Sequence, residues 1–553
     1  MPVTEIDPEA DTVGPYSRLS SSQASLYNSC PRKWFYEKHW RLKQAAVPVL
    51  FKGRAVEEAL SRTLRDDPTL LVASAPAELM SSEITLIELE EHERPQNEQE
   101  LLEWASTRAK LHFDTAWKKA EEEWFDDERK SGDFSQLNSD DSFNMVLNGI
   151  KMHLAQILSE EDVCSQWNEN RPWFVPPDDE PFTNNAIHPG YWFQGEYDLV
   201  YFTPQGIKIV DIKASIGDND RSGDYVNQMR NYAMLWWATH DKSEIPIALE
   251  IWYLGSDVIK PIEVPSEEDL ISIESDMKDL WKLLKDSEIS IADFPAEPLA
   301  IRGFSAGGVS IDPPDGERCQ SCEWSVICPR TIEEELPDGG WFTPPGQAGQ
   351  VDLEPLGNLN PRCTIVAEVH SALPPLKEGS SPRITVIESN RFGFLRIHVS
   401  QDGRHCPVPE NLEKGAQIRM RDIVPQINWK GEIELKADTM SSIEEYSEPE
   451  DSDIDLFGFR AKWNLSGKVV YTFERSGISA RGKPWRRWGM MIADATGAIS
   501  VGGFGNVWPA IANTIEPGDE IVVCNVQIDA WFTNVQASFN KNSTLHVIQR
   551  SST

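Results

Sequence analysis

Asp198, Asp211 and Lys213 lie in the stretch GEYDLVYFTPQGIKIVDIKAS (195–215), where two carboxylates and an ammonium interrupt an apolar, strand-like run. Residues 197–202 and 207–213 are rich in aromatic and β-branched types, and Thr203, Pro204, Gln205 and Gly206 put Pro and Gly where a four-residue turn favours them. This predicts an antiparallel hairpin. With the turn centred on the Pro204-Gln205 bond, opposed residues have numbers summing to 409, so Asp198 faces Asp211. Opposed Cβ atoms lie roughly 4.5–5.5 Å apart, and strand alternation puts Lys213 on the face of Asp211. Carboxylates so placed repel, and a hard divalent cation such as Mg²⁺ or Mn²⁺ bound through their oxygens removes the repulsion. A lone Asp-x-Lys is usually an exposed surface pair, so the companions of the hairpin decide its meaning.

The elements that must position these residues have room to form. At 553 residues the chain can hold about three or four domains of ~150 residues each. No terminal run resembles a signal peptide, and no apolar segment approaches the ~20 residues that cross a bilayer, so a cytoplasmic protein with no membrane partner is expected. The eight cysteines are too unevenly spread for a disulfide scaffold, and Cys319, Cys322 and Cys328 are clustered. A net charge of −37, spread evenly, would oppose nucleic-acid binding. It is segregated instead. Acid concentrates in the helical stretch 83–141 and around 448–455, whereas residues 460–553 carry ten Lys/Arg against six Asp/Glu, a net of +4.

Residues 336–361 are dense in Pro and Gly and read as a linker; residues 446–459, acidic with an apolar end, read as a second. The segments after each carry short alternating strands with turn signals and look like a repeat. Gly415 and Gly518 open corresponding strands, residues near 432–435 and 534–537 continue, and Ser442 and Ser543 stand 27 and 25 residues after the respective glycines. Val369 and Val469 lie 46 and 49 residues before them. Short strands at this spacing suggest small Greek-key barrels, and the pattern resembles the OB-folds of replication protein A.

Around the hairpin, roughly residues 17–332 resemble the RecB-like branch of the PD-(D/E)xK nucleases. The elements occur in family order: LSSSQASLYNSCPRKWFYEKHW from Leu19, KGRAVEEAL from Lys52, the hairpin, QMRNY from Gln228 and CQSCEWSVIC from Cys319. The resemblance implies a restriction-endonuclease-like α/β domain over 15–335. It also implies a metal ligand four residues after Gly53, where the family has His and this chain has Glu57. A carboxylate suits hard cations, so Glu57, Asp198 and Asp211 are the expected ligands and Lys213 the charge-stabilising group. Gln228 and Tyr232, four apart on a helix and so on one face, are the supporting pair the family implies; as isolated residues they would more often be packing. The resemblance further implies that Cys30 joins Cys319, Cys322 and Cys328 to bind a [4Fe–4S] cluster. Four thiolates also suit structural zinc.

Two all-β OB-fold barrels are expected at 360–446 and 460–549, after linkers 336–359 and 447–459. In the second, Arg481, Lys483, Arg486 and Arg487 interleave with Trp485 and Trp488, a pattern that stacks bases and tracks phosphates of single-stranded DNA. The sequence is read as a metal-dependent DNA nuclease, an exonuclease on single-stranded or flapped DNA in repair or replication. Rival readings are a catalytically inactive iron-sulfur single-stranded-DNA-binding protein, favoured by Glu57, and a CRISPR adaptation nuclease. A helicase or other replication or repair protein is the partner considered for residues 453–459, against their reading as plain linker.

Overall fold

The computed structural model describes residues 18–71, 87–157, 162–172, 185–217, 222–285, 290–298, 340–374 and 381–551, less 401–402, 411, 429, 480–481 and 533, together with 303–304, 310–311, 319 and 322–328. Two compact units divide the chain, Met1–Cys322 and Glu323–Thr553.

In the first unit, strand β1 (Leu19–Ser20) leads into helix α1 (Ser21–Ser29), whose first turn is capped by the Ser20 hydroxyl accepting from Gln23 N at 3.4 Å. The CPRKWFY stretch that follows docks on residues near 294. Arg32 Nε donates to Phe294 O at 2.6 Å, and the Trp34 and Phe294 rings stack at 5.4 Å. Helix α2 (Pro48–Arg65) starts on a proline, whose missing N–H is harmless in a first turn. Its Val56, Ala59, Leu60 and Leu64 recur at helical spacing and are buried. They pack with Leu101 and Ala105 of α3 (Glu98–Asp126), Val146 and Ile150 of α4 (Ser139–Ile157), and Val210, Ile212 and Trp252 of the central sheet. The acidic stretch thus supplies a helix whose alanines and leucines pack on α2 and α4, with Arg108 buried against Asp66 at 2.7 Å.

A small sheet joins β1 to β3 (Phe193–Glu196) in parallel, with β2 (Asn185–Ile187) antiparallel beyond it. The central sheet runs β4 (Leu199–Thr203), β5 (Gly206–Lys213), β6 (Ala248–Tyr253), β7 (Val258–Ile262). β4 and β5 form the expected hairpin, and its register pairs Leu199 with Val210 and Thr203 with Gly206, each summing to 409. β5 and β6 are parallel, so the chain crosses between them through helix α5 (Ser222–Thr239).

The second unit contains two barrels of one topology. In the first, β8 (Cys363–Leu373), β9 (Arg383–Glu388), β10 (Arg391–Ile397), β12 (Ile433–Ala437) and β11 (Gln417–Ile427) follow one another and close as β11 pairs β8, with only β10 and β12 parallel. β13 (Ser442–Glu445) extends the sheet on β11. After β14 (Asp453–Ile454), the second barrel repeats this order: β15 (Trp463–Ile478), β16 (Pro484–Ala493), β17 (Ala498–Phe504), β19 (Asn534–Ser538) and β18 (Glu520–Trp531), closed by β18 on β15, with β20 (Thr544–Gln549) on β18. A closed five-stranded Greek key of this order is the OB-fold. The repeat extends to detail: Gly415 and Gly518 both have φ +91°, donate to Val369 O at 2.8 Å and Val469 O at 2.7 Å, and follow bulges at those two valines.

Both stretches expected to be linkers pack onto barrels. Leu356 and Leu359 enter the core of the second barrel, and Leu356 N donates to Asp494 Oδ2 at 2.8 Å. Residues 446–459 clasp the first: β14 pairs β8 in parallel, buried Arg419 makes two 2.8 Å bonds to Asp453, and Leu456 is fully buried. Pro, Gly and acidic composition marks exposed backbone, but Leu356 and Leu359 in one segment and Leu456 in the other meet apolar pockets. Both stretches are thus packed rather than free of the barrels, while Phe457 of 453–459 stays exposed. Trp324, in the second unit, lies 6.4 Å from Tyr471. Among the described residues no helix is long and apolar enough to cross a membrane.

Candidate active site and nucleic-acid face

Hairpin and helix meet around three carboxyls. Asp211, on β5, is 1% exposed, and its Oδ2 lies 2.5 Å from Lys213 Nζ, two residues on and on the same face. The contact is a charge-assisted hydrogen bond within an ion pair. Asp198 sits one residue before β4, where the 409 register continues toward Asp211, and its Oδ2 accepts from Ile212 N at 2.6 Å. Its carboxyl is within hydrogen-bonding reach of both Asp211 and Glu57. Glu57 comes from α2; its neighbour Glu58 points away to Arg62 at 2.7 Å and Lys119 at 3.4 Å.

The charges follow from this crowding. Burial, then Glu57 and Asp211, push Asp198 well above the usual carboxylate range. Burial and the Asp211 charge raise Glu57 to about 7, Lys213 partly offsetting them. Asp211 is raised by burial and held back by Lys213. Burial works against the Lys213 charge, but Asp211 and Asp198 outweigh it and hold the ammonium above its ordinary value.

Helix α5 covers the cluster. Tyr225 places its ring 4.7 Å from Lys213 Nζ, Gln228 Nε2 donates to Tyr232 Oη at 2.8 Å, and burial followed by the Asp198 and Asp211 charges keeps Tyr232 protonated. Gly195 permits this approach: a Cβ there would stand 2.8 Å from Leu235 and 3.3 Å from Tyr232. The structure therefore brings together Glu57, Asp198, Asp211, Lys213, Gln228 and Tyr232. Sequence reasoning missed Tyr225, three before Gln228 and seven before Tyr232 and so on their face. It also missed Glu196, whose charge acts on Glu57 and which precedes Asp198 by one strand period.

Among the described residues no three His, Cys, Asp or Glu side chains stand at finished metal-ligand spacing. The carboxyl cluster nevertheless fits a hard divalent cation in donor type. Three carboxyls in contact, all three raised by burial and two of them also by their neighbours' charge, are the signs of a site short of positive charge. Among the described residues Cys30, Cys319, Cys322 and Cys328 are not gathered into a ligand set.

On the second barrel, strand alternation divides the expected DNA contacts. Trp485 and Arg487 share the outer face of β16. Arg486 and Trp488 lie on the opposite face, which continues into Met490 of the core, with Arg486 bonded through two nitrogens to Glu474 and resting 4.8 Å from the Trp488 ring. Alternation thus separates Arg486, itself exposed, and Trp488 from Trp485 and Arg487. Lys483 is exposed at the hairpin end, and Arg481 lies outside the described residues.

No curated protein sequence matches the chain. Among solved structures, the barrels are similar to a replication protein A heterotrimer bound to single-stranded DNA (13% identity, 36% of this chain and 52% of that one, TM-score 0.15). They are also similar to the replication factor A related protein of Methanobacterium thermoautotrophicum (22%, 15% and 78%, TM-score 0.14) and to an OB domain from Thermoplasma acidophilum (16%, 16% and 77%, TM-score 0.14). The chain spans about half the length of the first. A family model for the PD-(D/E)XK nuclease superfamily matches residues 18–329, more than half of the 553, and takes in the hairpin, the Glu57 helix and the tyrosine helix: the chain belongs to the PD-(D/E)XK nuclease superfamily.

Proposed function

We propose that the chain is a divalent-metal-dependent DNA nuclease of the RecB-like type, acting as an exonuclease on single-stranded or flapped DNA in repair or replication, with the barrels capturing the strand. The observation that carries this reading is the contact set of Glu57, Asp198, Asp211 and Lys213 beneath Tyr225, Gln228 and Tyr232. Glu57, Asp198 and Asp211 would hold Mg²⁺ or Mn²⁺, which when bound polarises the scissile phosphate and acidifies a water. The Ile212 amide fixes the Asp198 carboxyl. Lys213, held by Asp211, stays protonated and stabilises the negative charge that grows on the phosphate. Gln228 orients the Tyr232 hydroxyl over the same face.

An iron-sulfur clip on Cys30, Cys319, Cys322 and Cys328 is proposed on motif order alone, and no catalytic step depends on it. The helicase or repair factor that would supply the strand is proposed without a docking site. The test is incubation of end-labelled single-stranded DNA with Mg²⁺ or Mn²⁺. Wild-type protein should cleave, whereas Asp211→Asn and Lys213→Ala should lose cleavage and keep strand binding. Protein inert with every divalent metal tried would overturn the enzyme reading in favour of a binding module.

A further inference from the structure

Lys213 carries its charge at the end of a flexible stem, and a charge that must already stand where a transition state needs it has to be held there. Two groups hold it. Asp211 Oδ2 lies 2.5 Å from Nζ, and the Tyr225 ring presents its face with the centroid 4.7 Å from the same atom. That is inside the roughly 6 Å over which the negative face of an aromatic ring attracts a cation. The Lys213 side chain is only 20% exposed, so the contact is largely shielded from water, which strengthens it.

The ring is set by a docked helix. Met229, Ala233 and Trp236 recur at helical spacing along α5 and are fully buried, and Tyr225, one turn before Met229, stands half-buried at the end of that stripe. The two holders differ once the site is loaded. Asp211 is an expected metal ligand, and a carboxylate shared with a cation attracts the ammonium less. The face of an aromatic ring is not a ligand for a hard cation and keeps its hold. Resting on the reading of the carboxyl cluster as a nuclease site, we infer that Tyr225 is the positioning residue of Lys213, its ring face holding the ammonium where negative charge grows on the scissile phosphate. The hydroxyl takes no part, so any ring with a negative face serves.

Two measurements on the full chain test this. In metal-free protein carrying isotope-labelled lysine, the Lys213 Hε resonance, assigned by its loss in Lys213→Arg, should be shifted upfield by the ring. It should stay shifted in Tyr225→Phe and return to the position of exposed lysines in Tyr225→Leu. In cleavage of end-labelled oligothymidine with Mn²⁺, Tyr225→Leu should lower kcat by roughly 2- to 30-fold at near-constant KM, and Tyr225→Phe should recover most of the loss. Phenylalanines of rising fluorine content at position 225 keep the shape, and so the fold, while draining the ring's negative face; kcat should fall step by step along the series. An unshifted Lys213 resonance in wild type overturns the contact. Wild-type kcat in Tyr225→Leu, or one kcat for every fluorinated ring, overturns the positioning role and leaves the nuclease reading standing. A wild type inert with every divalent metal tried, its Lys213 resonance still shifted, overturns the nuclease reading instead and this role with it.

Discussion

Replacing Glu57 by Gln tests whether the three carboxyls act as one electrostatic unit. In the metal-free protein Glu57 is raised from its ordinary 4.5 to about 7, by burial first and by Asp211 second. Between those values the unfolded chain releases a proton that the folded chain keeps, so stability falls as pH rises and the loss is complete above about 7. At about 1.4 kcal/mol for each tenfold change in proton affinity, the ionisation of Glu57 costs the fold about 3 kcal/mol at pH 8 and about 0.8 kcal/mol at pH 5. Glu57→Gln removes the ionisation and keeps the volume. In chelator, the first denaturant transition of the variant should lie about 3 kcal/mol above wild type at pH 8 and within about 1 kcal/mol of it at pH 5. With Mn²⁺ the order should reverse, because wild type regains the lost stability through the cation and the variant has one ligand fewer. Cleavage should fall with that ligand. Equal effects at pH 5 and pH 8, or a variant less stable than wild type at pH 8 in chelator, would refute the clustering.

Truncating the clasp by Leu456→Ala should cost about 2–5 kcal/mol in the first-barrel transition, since a fully buried leucine is lost from its core; an unchanged midpoint would restore the linker reading. Anaerobically purified protein should be brown, with iron and sulfide near four per chain, and Cys30→Ser should be colourless. Colourless wild type with stoichiometric zinc would exclude the cluster.

The hairpin was legible because strand period and turn chemistry are local: one turn centre predicted every pair from 199–210 to 203–206, and with them the shared face of Asp211 and Lys213. The barrel repeat was legible for a similar reason, since Gly415 and Gly518 mark the same left-handed turn in both copies. Glu57 was reachable only through family resemblance, because nothing local ties a helix to a hairpin about 140 residues away. Tyr225 could have been found from helical spacing, but a lone tyrosine gives no sign of what its face covers.

Tertiary structure decided the rest. Leu356 and Leu456 turn presumed linkers into parts of barrels, because burial depends on whether a pocket exists and not on the composition around the residue. Arg486 and Arg487, neighbours in sequence and alike in charge, part company because strand alternation puts one beside Glu474 and the other beside Arg475 on opposite faces of β16. Residue type and period determine which groups travel together along a strand. Closure of the barrel, a long-range event, determines which of them the solvent meets.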